Sequence, residues 1–105
     1  MSTLAIIARV QLTEDSAPKY IEGAKKLIEP TLKEPGCEVY GMAVDIQDPT
    51  VVWISEQWTS QAHLDAHLKT PHIQEFIAYS STLDVVSMDA RQYAVSSVGD
   101  VVLPD

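Results

Sequence analysis

The 105-residue chain predicts an α+β domain with its elements in the order strand, helix, strand, strand, helix, strand, the ferredoxin-like arrangement. Three observations carry this. Apolar residues alternate with period two in several stretches and recur at three- and four-residue spacing between them. Capping residues, prolines and glycines separate the two kinds of stretch. The length admits one domain, residues 1–105, and no second module.

Residues 4–12 alternate. Leu4, Ile6, Ala8, Val10 and Leu12 share one face; Ala5, Ile7, Arg9 and Gln11 share the other. The apolar face is expected against helices, and the Arg9 face towards solvent or a pocket. After the capping residues Thr13 to Ser16, the spacing of Ala17, Tyr20, Ile21, Ala24, Leu27, Ile28 and Leu32 predicts an amphipathic helix. Ser16 is the expected N-cap, and Pro18 suits a first turn that needs no amide donor. Pro30 is expected to kink or break the helix, and Glu34-Pro35-Gly36 to stop it. Residues 37–46 read as a second strand, with Tyr40, Met42, Val44 and Ile46 on one face. Gln47 to Thr50 reads as a turn, and residues 51–58 as the hairpin partner, with Val52, Ile54, Glu56 and Trp58 on one face. Thr59-Ser60 caps a short helix to Lys69. Thr70-Pro71 restarts a helix to about Leu83, with Ile73, Phe76, Ile77, Ser80 and Leu83 inward. A last strand covers residues 85–95.

Helices cover only one face of such a sheet. The other face carries Tyr, Trp or long aliphatics on several strands and needs cover, which in so short a chain is a second copy. Wetting that face would forfeit roughly 25 cal/mol per Å² of apolar surface, so the reading is a homodimer whose assembly is coupled to folding. The tail, residues 96–105, keeps Val98, Val101, Val102 and Leu103, and is expected to contact the partner subunit. Aromatics on the uncovered face also predict a pocket there for a flat apolar ring.

Composition narrows the function classes. Seven Lys+Arg against fifteen Asp+Glu give a net charge of -8, a surface that repels phosphate, so neither nucleic acid nor an anionic membrane is an expected partner. A single cysteine, Cys37, forms no intrachain disulfide, and the N-terminus lacks the pattern of a signal peptide; both point to the cytoplasm. No apolar run reaches the length of a membrane span.

His63 and His67 lie four apart and His72 follows the Thr70-Pro71 break, a spacing that allows a shared metal. The plainer alternative is a solvated His63 with His67 and His72 as hydrogen-bonded helix residues. No Cys-x-x-Cys or His-Glu-x-x-His pattern supports a metal, and the protein is expected to carry none. Cys37 has no basic neighbour in sequence to activate it and reads as a small packing residue. Neither a Gly-x-Ser-x-Gly elbow nor a phosphate loop is present. Glu56, set between Ile54 and Trp58, needs a partner if buried, and Arg9 on a neighbouring strand is the expected one.

The run Glu56-Gln-Trp-Thr-Ser-Gln-Ala-His-Leu-Asp-Ala-His-Leu-Lys-Thr-Pro-His72 resembles the signature of the antibiotic biosynthesis monooxygenase family. Glu-x-Trp-x-Ser, Leu-x-x-His-Leu and Thr-Pro-His follow in order. Pro30 to Cys37, followed by Tyr40, is similar to the quinol monooxygenase branch; the likeness spans residues 4–95. The resemblance implies a dimeric α+β barrel, a pocket between the sheet and the second helix pair, and oxygenation of quinols or aromatic polyketides by molecular oxygen with no metal, flavin or haem. Haem-degrading relatives carry Asn, Trp and His where this chain has Ala8, His67 and Ile77, so that activity is not expected.

The reading is therefore a cofactor-independent monooxygenase acting on a quinol or related hydroxylated aromatic. His67 is the expected proton-handling group with His72 as helper; Tyr40, Trp58 and Phe76 are pocket walls; Glu56 and Arg9 complete the substrate-binding set, Arg9 as anion stabiliser. Two alternatives belong to other classes: a non-catalytic stress or ligand-binding dimer, and an isomerase of a small phosphorylated carbonyl compound using Arg9 or Arg91.

Overall fold

The computed structural model describes residues 2–105. Its elements are β1 (Thr3–Leu12), α1 (Ser16–Leu32), β2 (Cys37–Asp45), β3 (Asp48–Trp58), α2 (Gln61–Leu68), α3 (Pro71–Ser80) and β4 (Val85–Val95). The four strands form one sheet in the order β2-β3-β1-β4 with every neighbouring pair antiparallel. This is the ferredoxin-like fold that the element order predicts.

The register decides which side chains meet. Ile6 pairs with Glu56, and Glu56 with Tyr40; Leu4 pairs with Trp58. Directly opposed residues point to the same side, so Leu4, Ile6, Tyr40, Glu56 and Trp58 share one face. That face is covered by helices: Leu4, Tyr40 and Trp58 pack with Leu27, Leu64 and Ile73. A second part of the same layer joins Ala8, Val10, Leu12, Val52 and Ile54 to Ala17 and Tyr20. Arg9 pairs with Trp53 and Asp89, which places it on the other face with Ile7 and Arg91. Ile7, Val39, Trp53 and Tyr93 leave that face exposed and apolar, and Val98, Val101, Val102 and Leu103 of the tail are exposed as well.

Several boundaries differ from expectation for local reasons. The first helix starts at Ser16 itself, with Asp15 in the N-cap position making no side-chain cap bond. Ser16 N–H donates to Thr13 Oγ1, and Thr13 N–H to Ser16 Oγ, both at 3.0 Å, a reciprocal pair that resembles a capping box. The helix runs through Pro30 to Leu32. Its buried stripe continues Tyr20, Ala24, Leu27, Thr31, so Thr31 is enclosed and Leu32 half exposed. The hairpin turn is tighter than predicted, Ile46 and Gln47 only, because Asp45 Oδ1 accepts from Gln47 N–H and Asp48 pairs with Asp45. α3 ends at Ser80, and Ile77 is half exposed rather than inward. No helix among the described residues is long and apolar enough to cross a membrane.

Candidate active site

Three elements converge under the sheet. Ser60 caps α2, its hydroxyl accepting from His63 N–H, and the helix carries His67 to the Trp58 end of β3. Thr70 turns the chain, its hydroxyl donating to His67 carbonyl at 2.7 Å, so α3 starts with Pro71 and His72 beside His67. The end of α1 delivers Glu34, whose backbone N–H bonds Thr31 carbonyl. One carboxylate oxygen, Glu34 Oε2, then meets His67 Nδ1 at 2.8 Å and His72 Nε2 at 2.7 Å. A carboxylate oxygen only accepts, so each facing ring nitrogen carries the proton. His67 Nε2 and His72 Nδ1 are the ring nitrogens that Glu34 does not use.

Packing fixes this cluster. His67 is 1% exposed and lies 4.7 Å from the Trp58 ring, centroid to centroid, with Tyr40 edge-on at 5.5 Å. Trp58 Nε1–H donates to Glu56 Oε1 at 2.9 Å. Burial pushes the Glu56 carboxyl above its usual range, with the Trp58 hydrogen bond pulling the other way. Burial also raises the Tyr40 phenol, and nearby Glu56 adds to it. The Cys37 thiol is raised by burial and by Glu34, Glu56 and Glu38, the opposite of what a nucleophile needs.

Of the residues singled out from sequence, His67, His72, Tyr40, Glu56 and Trp58 come together on the helix side. Phe76 packs edge-on against Tyr20 at 5.1 Å and borders the neighbouring cleft. Arg9 does not join them. It lies on the opposite sheet face and donates to Gln11 Oε1 at 3.3 Å, so the expected Arg9–Glu56 pair is replaced by Trp58–Glu56. Arg91, on the Arg9 face, is 3.6 Å from Asp89. His63 also stands apart. Its Nδ1 meets Thr59 Oγ1 and Ser60 Oγ, and its ring lies over Gly36, so the three histidines do not form one ligand set. Glu34 is the member that the sequence reading used only as a helix stop.

A cleft of about 430 Å³ opens between α1 and α3, lined by Glu22, Gly23, Leu27, His72, Phe76 and Tyr79, with Lys26 and Glu75 at its edges. That size suits a small ring system. Gly23 lets Tyr79 pack closely against α1 at this cleft: a Cβ there would lie 2.5 Å from the Tyr79 ring. The cleft therefore lies between helices, not on the uncovered sheet face and not against a strand. His72 connects it to Glu34 and His67. A second hollow of about 340 Å³ between α1 and β2 is apolar apart from Lys25.

Comparison with known proteins agrees with this frame. The antibiotic biosynthesis monooxygenase family profile matches residues 3–79, and the chain belongs to that family. The Escherichia coli K12 protein named "Probable quinol monooxygenase YgiN" is 40% identical over 76 residues, which cover 63% of this chain and 70% of that protein. The uncharacterised protein sll1783 of Synechocystis is 26% identical over 93 residues, 89% of this chain; the match spans 63% of that relative's length. Among solved structures, a conserved protein of Methanosarcina mazei Go1 superposes with TM-score 0.82 at 26% identity, covering 90% of this chain and 93% of its own. A conserved protein of Bacteroides thetaiotaomicron gives TM-score 0.82 at 29% identity, covering 90% and 98%.

Proposed function

We propose that this chain is a cofactor-independent monooxygenase that oxidises a quinol, or a related hydroxylated aromatic, with molecular oxygen. The observation that carries the reading is the Glu34 carboxylate, its side chain 10% exposed, held between two imidazoles, one of which borders a cleft of ring size. Hydroquinones are electron-rich once deprotonated. A hydroquinone and dioxygen balance to a hydroxyquinone and water, so the substrate supplies its own electrons. The protein then has to bind the ring, take a proton and hold the anion.

Accessibility supports an exchange of the histidine roles read from sequence. His67 is enclosed, whereas His72 borders the cleft. His72 Nδ1 takes the hydroxyl proton, and Glu34, bonded to Nε2–H, orients the ring and stabilises the resulting imidazolium, as the carboxylate does in a catalytic triad. His67, held by Trp58 and Tyr40, positions Glu34. Phe76 and Leu27 provide apolar walls. The reading includes a homodimer, supported by the exposed apolar sheet face, and a cytoplasmic location, which rests on the single cysteine.

Menadiol prepared without oxygen and then mixed with oxygenated buffer tests it. Wild type is expected to form quinone faster than autoxidation, and His72→Ala to lose about 100-fold or more of that acceleration, the usual share of a general base. A wild-type rate equal to the uncatalysed one would sink the proposal. The isomerase alternative is not favoured, since Arg9 and Arg91 share the sheet face away from the cleft.

A further inference from the structure

The Glu34 cluster has a second chemical capacity. His67 Nδ1, His72 Nε2 and a Glu34 carboxylate oxygen all lie within 4.8 Å of one another. Two imidazole nitrogens and a carboxylate oxygen form the donor set of zinc sites that keep an open position. Zinc bonds of about 2.0–2.2 Å at tetrahedral angles place ligand atoms roughly 3.3 Å apart. The two contacts here are 2.8 and 2.7 Å. Opening them by about half an ångström lies within the side-chain freedom of Glu34 and of His72, which borders the cleft, while Trp58 and Tyr40 keep His67 in place. The cleft provides the entry path, and the net charge of -8 favours cations.

We propose that Glu34, His67 and His72 bind a divalent metal ion of the zinc class, one per chain, and that the bound ion blocks the reaction proposed above; the second half rests on that reading. An ion seated between the three groups replaces the Glu34–His72 contact of 2.7 Å, so the carboxylate no longer orients the His72 ring towards the cleft. Metal and substrate compete for the same imidazole.

The test is titration of zinc sulfate into the full chain after chelator treatment, followed by calorimetry, with cobalt(II) absorption as a second probe. One zinc per chain is expected, and cobalt should give the visible bands of a four- or five-coordinate N/O site. Glu34→Gln and His72→Gln should each weaken binding by at least about 100-fold, the upper end for losing even an outer-sphere partner. His63→Gln should bind as wild type does. Circular dichroism checks each variant's fold, and His72→Gln decides the matter if Glu34→Gln is unfolded. Absence of saturable zinc binding at hundreds of micromolar, or undiminished binding in a folded His72→Gln, would overturn the site. Menadiol oxidation should fall in proportion to bound zinc, and an undiminished rate in loaded protein would overturn the blockade. Should metal-free protein fail to oxidise menadiol, the proposed reaction falls with its blockade, and the isotherms still decide the site.

Discussion

Gly36 joins the end of α1 to β2, two residues beyond Glu34, and replacing it with alanine probes the joint that places the cluster. Its φ is +81°, the left-handed region where a side chain costs roughly 1–2 kcal/mol. Space is a second obstacle. A Cβ at Gly36 would lie 2.5 Å from His63 Nδ1 and 2.6 Å from His63 Cβ, with Cγ closer still. The His63 ring has to leave, losing its contacts to Thr59 Oγ1 at 2.9 Å and Ser60 Oγ at 3.0 Å. Those contacts are partly wet, so together they are worth about 1 kcal/mol. The expected cost of Gly36→Ala is therefore about 2–3 kcal/mol, and Tm should fall by roughly 10–20 °C for a domain of this size. Urea unfolding followed by tryptophan fluorescence, at one fixed protein concentration, measures it. In a His63→Gly background the ring and the Cβ at 2.6 Å are both gone, and the same substitution should cost about 1 kcal/mol less, a coupling that a double-mutant cycle isolates. A loss under about 0.5 kcal/mol in wild type would refute the conformational argument, since the left-handed cost alone exceeds it. Full additivity in the cycle would refute the steric one.

Glu56 sets a pH dependence. Burial raises its carboxyl in the folded state, so the fold binds that proton more tightly than the unfolded chain does, and stability is lost as pH rises from the ordinary carboxylate range through the raised value. Glu56→Gln should flatten that limb and gain on wild type in urea midpoints as pH rises above the ordinary carboxylate range; parallel profiles would rule out this source. The proposed dimer through the exposed face of Ile7, Val39, Trp53 and Tyr93 predicts a Tm that rises with protein concentration and a dimer by light scattering. A monodisperse monomer at micromolar concentration would contradict that. Cutting the chain after Val95 should lower the stability of the dimer; an unaltered dimer would remove only the role given to the tail.

Local signals were enough for the fold because each element carries its own period and its own stop. Alternation of Leu4 to Leu12 and the spacing of Tyr20, Ala24 and Leu27 are properties of neighbours in the chain, and the structure keeps both. The errors fall where two local rules compete. Pro30 is expected to kink or break the helix near its end; the helix continues past it to Leu32, the last apolar residue of the spacing. Ser16 is expected to cap but bonds reciprocally with Thr13, and the helix starts at Ser16 itself, one residue early.

The site was less legible because it depends on which face each strand turns and on a contact far along the chain. Strand parity could have excluded the Arg9–Glu56 pair. Glu56 alternates in phase with Val52, Ile54 and Trp58, which form an apolar set suited to the helix side; Arg9 is out of phase with Leu4 to Leu12, which form the matching set on β1. Pairing the two would have required one strand to turn its apolar residues away from the core. Glu34 presents a different problem. It lies 33 residues from His67 and 38 from His72. It belongs to no periodic pattern, and beside Pro35 and Gly36 its acidity reads as ordinary helix-end solubility. What would have pointed to it is the demand of the partners: His67 sits four residues before Pro71 on a short helix against Trp58, so its ring must be enclosed, and an enclosed imidazole N–H needs an acceptor. The turn ahead of β2 is the segment delivered to the Trp58 end of the sheet, since Cys37 pairs with Trp58. Glu34 is the carboxylate closest to it on the helix side of that turn. Charge demand combined with strand register therefore selects the residue that periodicity alone left out.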